Sequence, residues 1–176
     1  MTAKLMPDAK VPALSVPTVG GGQWDLASQT PANFTMVVVY RGYHCPLCKT
    51  YLGKLNDLAA GYRDAGFSVL TVSMDSLERA TKTKDEWGLS NLTVGYGLSE
   101  ATARAWGLWI SSSIKEAEAP TFAEPGLFWV RPTGELYLVD ISNMPFARPD
   151  LELLLSKVQM VVDNGYPARG TMKAAA

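Results

Sequence analysis

Apolar positions along the chain fall into two alternating rhythms. Met36-Val37-Val38-Val39-Tyr40 is an unbroken, largely β-branched run, the pattern of a strand covered on both faces of a parallel sheet. Directly after it, Leu47, Tyr51, Leu52, Leu55, Leu58, Ala59 and Tyr62 recur at steps of three and four. That spacing predicts a helix that starts near Cys45 and frays by Gly61 or Gly66. The alternation continues with a strand over Ser68 to Met74 and a helix from about Ser76 to Trp87, opened by Asp75 and Glu78 as a capping box. A short strand from Thr93 to Tyr96 and a helix from Ser99 to Gly107 follow.

The tail changes character. Gly126 to Val130 and Glu135 to Ile141 read as strands joined by Arg131-Pro132-Thr133-Gly134, a turn sequence that favours an antiparallel hairpin. Pro149 and Asp150 open a last amphipathic helix, with Leu151, Leu154, Leu155, Val158, Val161 and Val162 on one face. The expected fold class is therefore α/β, a mixed central β-sheet flanked by helices on both faces. The first 33 residues, rich in Pro, Gly and Ser, read as an extended entry segment with a hairpin around Gly20 to Gly22 and a short strand from Gln23 to Leu26. Ser111 to Pro120 lacks periodicity and is expected to be an exposed loop.

Composition narrows the classes. With 176 residues, 47% hydrophobic and 19% charged, the chain suits a single domain over residues 1–176 that buries a full core. A net charge of -1 with scattered Lys and Arg supplies no basic footprint for nucleic acid. No apolar run approaches bilayer-spanning length, and Met1 to Ser15 is broken by Pro7 and Pro12, so no membrane association and a cytoplasmic location are expected. Trp87, Trp106, Trp109 and Trp129 read as core or rim aromatics, and with one histidine and no G-x-S-x-G a hydrolase triad finds no support.

Two cysteines remain, Cys45 and Cys48, three positions apart in the first turn of the helix that follows the central strand. A bridge across so short a loop removes little entropy from the unfolded chain, so the pair is no framework disulfide. Free N–H groups and the positive dipole end of a helix lower a thiol pKa from about 8.5 toward 7 or below, which makes a nucleophile near neutral pH. The second thiol, on the same helical face, can then close an internal disulfide. A zinc site would need four ligands, and only these thiols and His44 are at hand as soft donors; an inert buried pair is the other alternative. Pro46, at a first-turn position, loses no needed hydrogen bond.

Three stretches carry a family resemblance: Val39-Tyr40-Arg41-Gly42-Tyr43-His44-Cys45-Pro46-Leu47-Cys48, then Thr71 to Ser76 with Trp87, and Gly126-Leu127-Phe128-Trp129-Val130 followed by Pro132 to Leu136. In these the chain resembles the alkyl hydroperoxide reductase and thiol-specific antioxidant group of peroxiredoxin-like proteins, within the thioredoxin superfamily. The resemblance implies a thioredoxin-like fold and a thiol-dependent oxidoreductase acting on a hydroperoxide or disulfide. It implies re-reduction by an external dithiol, no organic cofactor or metal, and relatives that often form homodimers. A redox-sensing or interaction module, using the same dithiol as a switch without turnover, is the alternative.

The family's peroxidases share a Pro-x-x-x-Thr-x-x-Cys site. Matching its cysteine to Cys48 puts Arg41 at the proline and Cys45 at the threonine, and Glu124-Pro125 stands where an arginine is expected. Both departures lead toward thioredoxin, whose first C-x-x-C cysteine takes that threonine position and whose cis-proline matches Pro125. The site residues this implies are Cys45, Cys48, Pro125 as a cis-proline bordering the dithiol, Arg41 as a thiolate or anion partner, and His44 as a proton relay. The thioredoxin pattern makes Cys45 the nucleophile and the peroxiredoxin pattern makes Cys48; the N-terminal position and the lost threonine and arginine favour Cys45.

Overall fold

The computed structural model describes residues 5–172. Its entry segment forms a small antiparallel hairpin of β1 (Ser15–Pro17) and β2 (Gln23–Asp25), turning through Gly20 to Gly22. The expected strand over Gln23 to Leu26 ends one residue early, because Asp25 turns its carboxylate to accept the Ala27 N–H at 2.9 Å and caps a 3-10 turn over Leu26–Ser28.

The centre of the molecule is β3 (Phe34–Val39), buried at all six positions, followed by α1 (Pro46–Asp64) and β4 (Phe67–Val72). Next come α2 (Leu77–Glu86), β5 (Thr93–Gly95), α3 (Glu100–Ala105) and the short strands β6 (Ile110–Ser112) and β7 (Thr121–Ala123). The chain closes with β8 (Gly126–Val130), β9 (Leu136–Ile141) and α4 (Leu151–Asp163). The main sheet has the order β5-β4-β3-β8-β9, with β3, β4 and β5 parallel and β8 and β9 antiparallel to their neighbours. It is the mixed sheet that the strand order predicts.

Side chains of β3 alternate between two cores, as a doubly covered strand requires. Met36 and Val38, with Tyr40 just beyond the strand, join Leu52, Leu55, Tyr62, Leu127, Trp129 and Leu151 beneath α1 and α4. Val37 and Val39 join Val16, Trp24, Leu70, Trp106 and Phe128 on the face covered by α3 and the entry hairpin. Helices thus lie on both faces. Trp106 and Trp129 are core residues, whereas Trp109 is 60% exposed.

Two local expectations are corrected. The cap of α2 is Ser76, whose hydroxyl accepts the Arg79 N–H, because the Asp75 carboxylate is turned inward to other partners. The segment 111–120 is also not wholly a loop, since Ser111 and Ser112 pair with Phe122 and Thr121 in the antiparallel β6–β7 ribbon. No helix among the described residues is long and apolar enough to cross a membrane.

Candidate active site

The dithiol stands where the central strand hands over to α1. Cys45 is the N-cap, in extended backbone, and its sulfur accepts the Cys48 N–H at 3.2 Å; Pro46 occupies the first helical position. This is the geometry in which a sulfur takes the place of a capping oxygen. Cys48 lies one turn along, with a Cα–Cα distance of 5.2 Å, and the two are joined as a disulfide. Both are buried.

The approach to Cys45 is fixed by a carboxylate. Buried Asp75 accepts the Tyr43 N–H at 2.7 Å and Arg79 Nε at 3.0 Å. Gly42 makes room for it: its φ is +138°, and a Cβ there would lie 2.7 Å from Asp75 Oδ2. A side chain at position 42 would push apart the contact that holds the cysteine loop.

Arg41, just past the end of β3, and Glu124, just ahead of β8, form a bidentate ion pair, Nε to Oε2 at 2.7 Å and Nη2 to Oε1 at 2.9 Å. Ser111 Oγ donates to the same carboxylate at 2.6 Å, and the guanidinium lies 5.5 Å from the Phe122 ring centre. Glu124 stands just ahead of β8, where the family resemblance implies an arginine. Pro125 stands at the dithiol end of the sheet, since the next residue, Gly126, pairs with Val39 at the end of β3. The expectation of a cis bond before Pro125 is not met, because the peptide bonds of the described residues are all trans. Here the chain passes from β7 to β8 with Glu124 N–H donating to the Trp109 carbonyl and the Pro125 carbonyl accepting from Ser142 N–H. A proline ahead of the strand forfeits no ladder bond and can stay trans.

His44 packs against Phe122, ring centres 4.8 Å apart, with Nδ1 3.3 Å from Arg79 Nη2. Burial, more than any neighbouring charge, pushes its pKa below the ordinary value.

The residue that sequence reasoning missed is Arg148. Its Nη2 donates to Cys48 Sγ at 2.9 Å, and its guanidinium lies over the Tyr51 ring at 4.8 Å. Nε and Nη1 are buried and have no partner among the described residues. Burial pushes its pKa down to about 10, which still leaves it cationic at neutral pH. Tyr51 OH donates to the Pro149 carbonyl at 2.9 Å and so ties the segment carrying Arg148 to α1. The 100-residue separation hides this contact from any local pattern; the one available signal is a lone cation in the otherwise apolar run Met144 to Pro149.

Solved structures place this arrangement among known folds. A peroxidoxin, BcpB, from Mycobacterium tuberculosis is 14% identical with a TM-score of 0.73, over 90% of this chain and 99% of that one. A peroxiredoxin-like protein from Aquifex aeolicus is 17% identical with a TM-score of 0.72, over 91% and 90%. AhpC from Enterococcus faecalis is 19% identical with a TM-score of 0.73, over 98% of this chain and 100% of that one. No curated protein matches the chain in sequence. The model of one protein family matches residues 7–139, a span that includes the dithiol, the Arg41–Glu124 pair and the strands β1 to β8. With that match over most of its length, the chain belongs to the AhpC/TSA family.

Proposed function

We propose that this thiol-dependent oxidoreductase reduces hydroperoxides with Cys48 as the attacking sulfur and Cys45 as the resolving one. The observation that carries the assignment is the contact of Arg148 Nη2 with Cys48 Sγ. A hydrogen bond from a cation to an anion is about twice as strong as one between neutral groups. When the disulfide opens, Arg148 therefore favours a thiolate on Cys48 more than the single Cys48 N–H favours one on Cys45. This reverses the preference for Cys45 drawn from its N-terminal position and from the lost threonine and arginine, a reading that could not weigh a cation from 100 residues away.

In the first step the Cys48 thiolate attacks the terminal peroxide oxygen. The O–O bond breaks, the sulfur is oxidised to sulfenic acid, and the alkoxide leaves and takes a proton. Cys45 sulfur then attacks Cys48 sulfur, forming the S–S bond and releasing water. Closure is fast because the cap geometry already holds the two side by side. An external dithiol returns the pair to its reduced state and becomes a disulfide itself, a step suited to a reducing compartment such as the cytoplasm. Arg41 acts here by holding Glu124 rather than by meeting the thiolate, and Pro125 borders the site in the trans form.

The test is a side-by-side assay of hydroperoxide consumption and of protein-disulfide reduction, each with a dithiol reductant in excess. The proposal expects peroxide consumption to dominate. Turnover of disulfides without peroxide consumption would contradict it, and the absence of both would favour the redox-switch reading.

A further inference from the structure

Asp75, Arg79 and His44 form a chain that ends next to the dithiol. Asp75 Oδ1 accepts from Arg79 Nε at 3.0 Å, and Arg79 Nη2 lies 3.3 Å from His44 Nδ1. The same Nη2 also donates to the Ala117 carbonyl at 3.3 Å, which fixes the guanidinium from the far side. Arginine has donors and no acceptor, so a hydrogen bond between these two atoms has one possible polarity: Arg79 donates and Nδ1 accepts. In a neutral imidazole the proton then sits on Nε2. That atom is buried and has no partner among the described residues.

We infer that Arg79 is a positioning residue that holds His44 as the neutral, Nε2-protonated tautomer and thereby withdraws it from thiol activation. With Nδ1 occupied and Nε2 already protonated, the ring has no lone pair free to take a proton from Cys45 or Cys48. Being neutral, it adds no charge to either thiolate, so Arg148 carries that task. The groups facing the ring are Arg79 and Asp75 from the α2 side, Arg41 beyond the end of β3, and Glu118 from the β6–β7 loop. Arg79 and Arg41 disfavour an imidazolium, Asp75 and Glu118 favour one, and burial disfavours it most. The expectation that His44 relays a proton is replaced by one in which it is a fixed neighbour, neutral at pH 7. The tautomer assignment does not depend on the peroxide reading, whereas the statement about thiol activation rests on it.

Because His44 is the chain's single histidine, its side chain can be read without ambiguity. Long-range proton–nitrogen spectra of the oxidised, full-length protein at pH 7 should show Nε2 protonated and Nδ1 bare. The ring should take up its second proton below the ordinary histidine value. In Arg79→Gln the midpoint should rise, since a cation beside the ring is gone and Asp75 is left unpaired. In the pH profile of kcat/KM for a hydroperoxide, the histidine inflection should lie at higher pH in the variant than in the wild type. A wild-type ring protonated on Nδ1, or doubly protonated at pH 7, would overturn the inference, as would an unmoved midpoint in folded Arg79→Gln. If that variant does not fold, the wild-type spectrum decides alone. Failure of the peroxide reading would show as no peroxide turnover at any pH, with the tautomer still as stated.

Discussion

Two arginines reach the dithiol end of the sheet and meet opposite surroundings. Arg41 is fully matched, its Nε and Nη2 on the two oxygens of buried Glu124 and its face on Phe122. Among the described residues no carboxylate pairs with Arg148; it meets a sulfur and a tyrosine ring, and two of its nitrogens lack partners there. A neutralised guanidinium has little field left for a thiolate, while an under-satisfied one gains most when an anion forms beside it. The first pair is read as architecture and the second as chemistry, and substitutions should separate them.

The largest of these effects is expected in stability. Glu124→Gln strands a charge whose side chain is only 19% exposed, and breaking a buried pair on one side costs about 3 kcal/mol or more. Thermal or urea unfolding measures it, and replacing both partners, Arg41→Met with Glu124→Gln, should recover most of the loss. Arg148→Gln should behave the other way round. Stability should change little, while the Cys48 thiol pKa rises and the first-step rate at neutral pH falls about 10- to 100-fold. Alkylation rate against pH reads the first quantity and stopped-flow peroxide consumption the second. A loss confined to stability in Arg148→Gln would erase the contrast. The smallest effect belongs to Tyr51→Phe, which deletes the bond to the Pro149 carbonyl and should cost about 1 kcal/mol, with a few-fold loss of rate as Arg148 loosens.

How far the sequence foretold this site depends on the reach of each signal. The strand at 36–40 and the helix from Cys45 were legible because hydrophobic period and cap chemistry act over a few residues. Ser76 and Asp75 were misassigned because both are good caps, and only the inward partners Tyr43 and Arg79 decide which one turns away. The ribbon of β6 and β7 escaped because Ile110-Ser111-Ser112 and Thr121-Phe122-Ala123 contain no β-branched apolar run and pair only with each other. Arg148 escaped for a different reason: its partner is set by the docking of α4 against α1, a long-range event with no local trace. The charge reversal at Glu124 was visible as a departure from the family pattern, but its partner Arg41 emerged only once β3 and β8 were paired in register.

The most direct test of the central claim uses the two single variants, reduced and then exposed to one equivalent of hydroperoxide with a sulfenic-acid trap present. The account predicts that Cys45→Ser forms a trapped sulfenic acid on Cys48 at close to the wild-type first-step rate, read by intact and peptide mass. Cys48→Ser should remain essentially unmodified over the same time. A Cys48→Ser protein that oxidises at the wild-type rate on Cys45, beside an inert Cys45→Ser protein, would contradict it and return the attack to the helix cap.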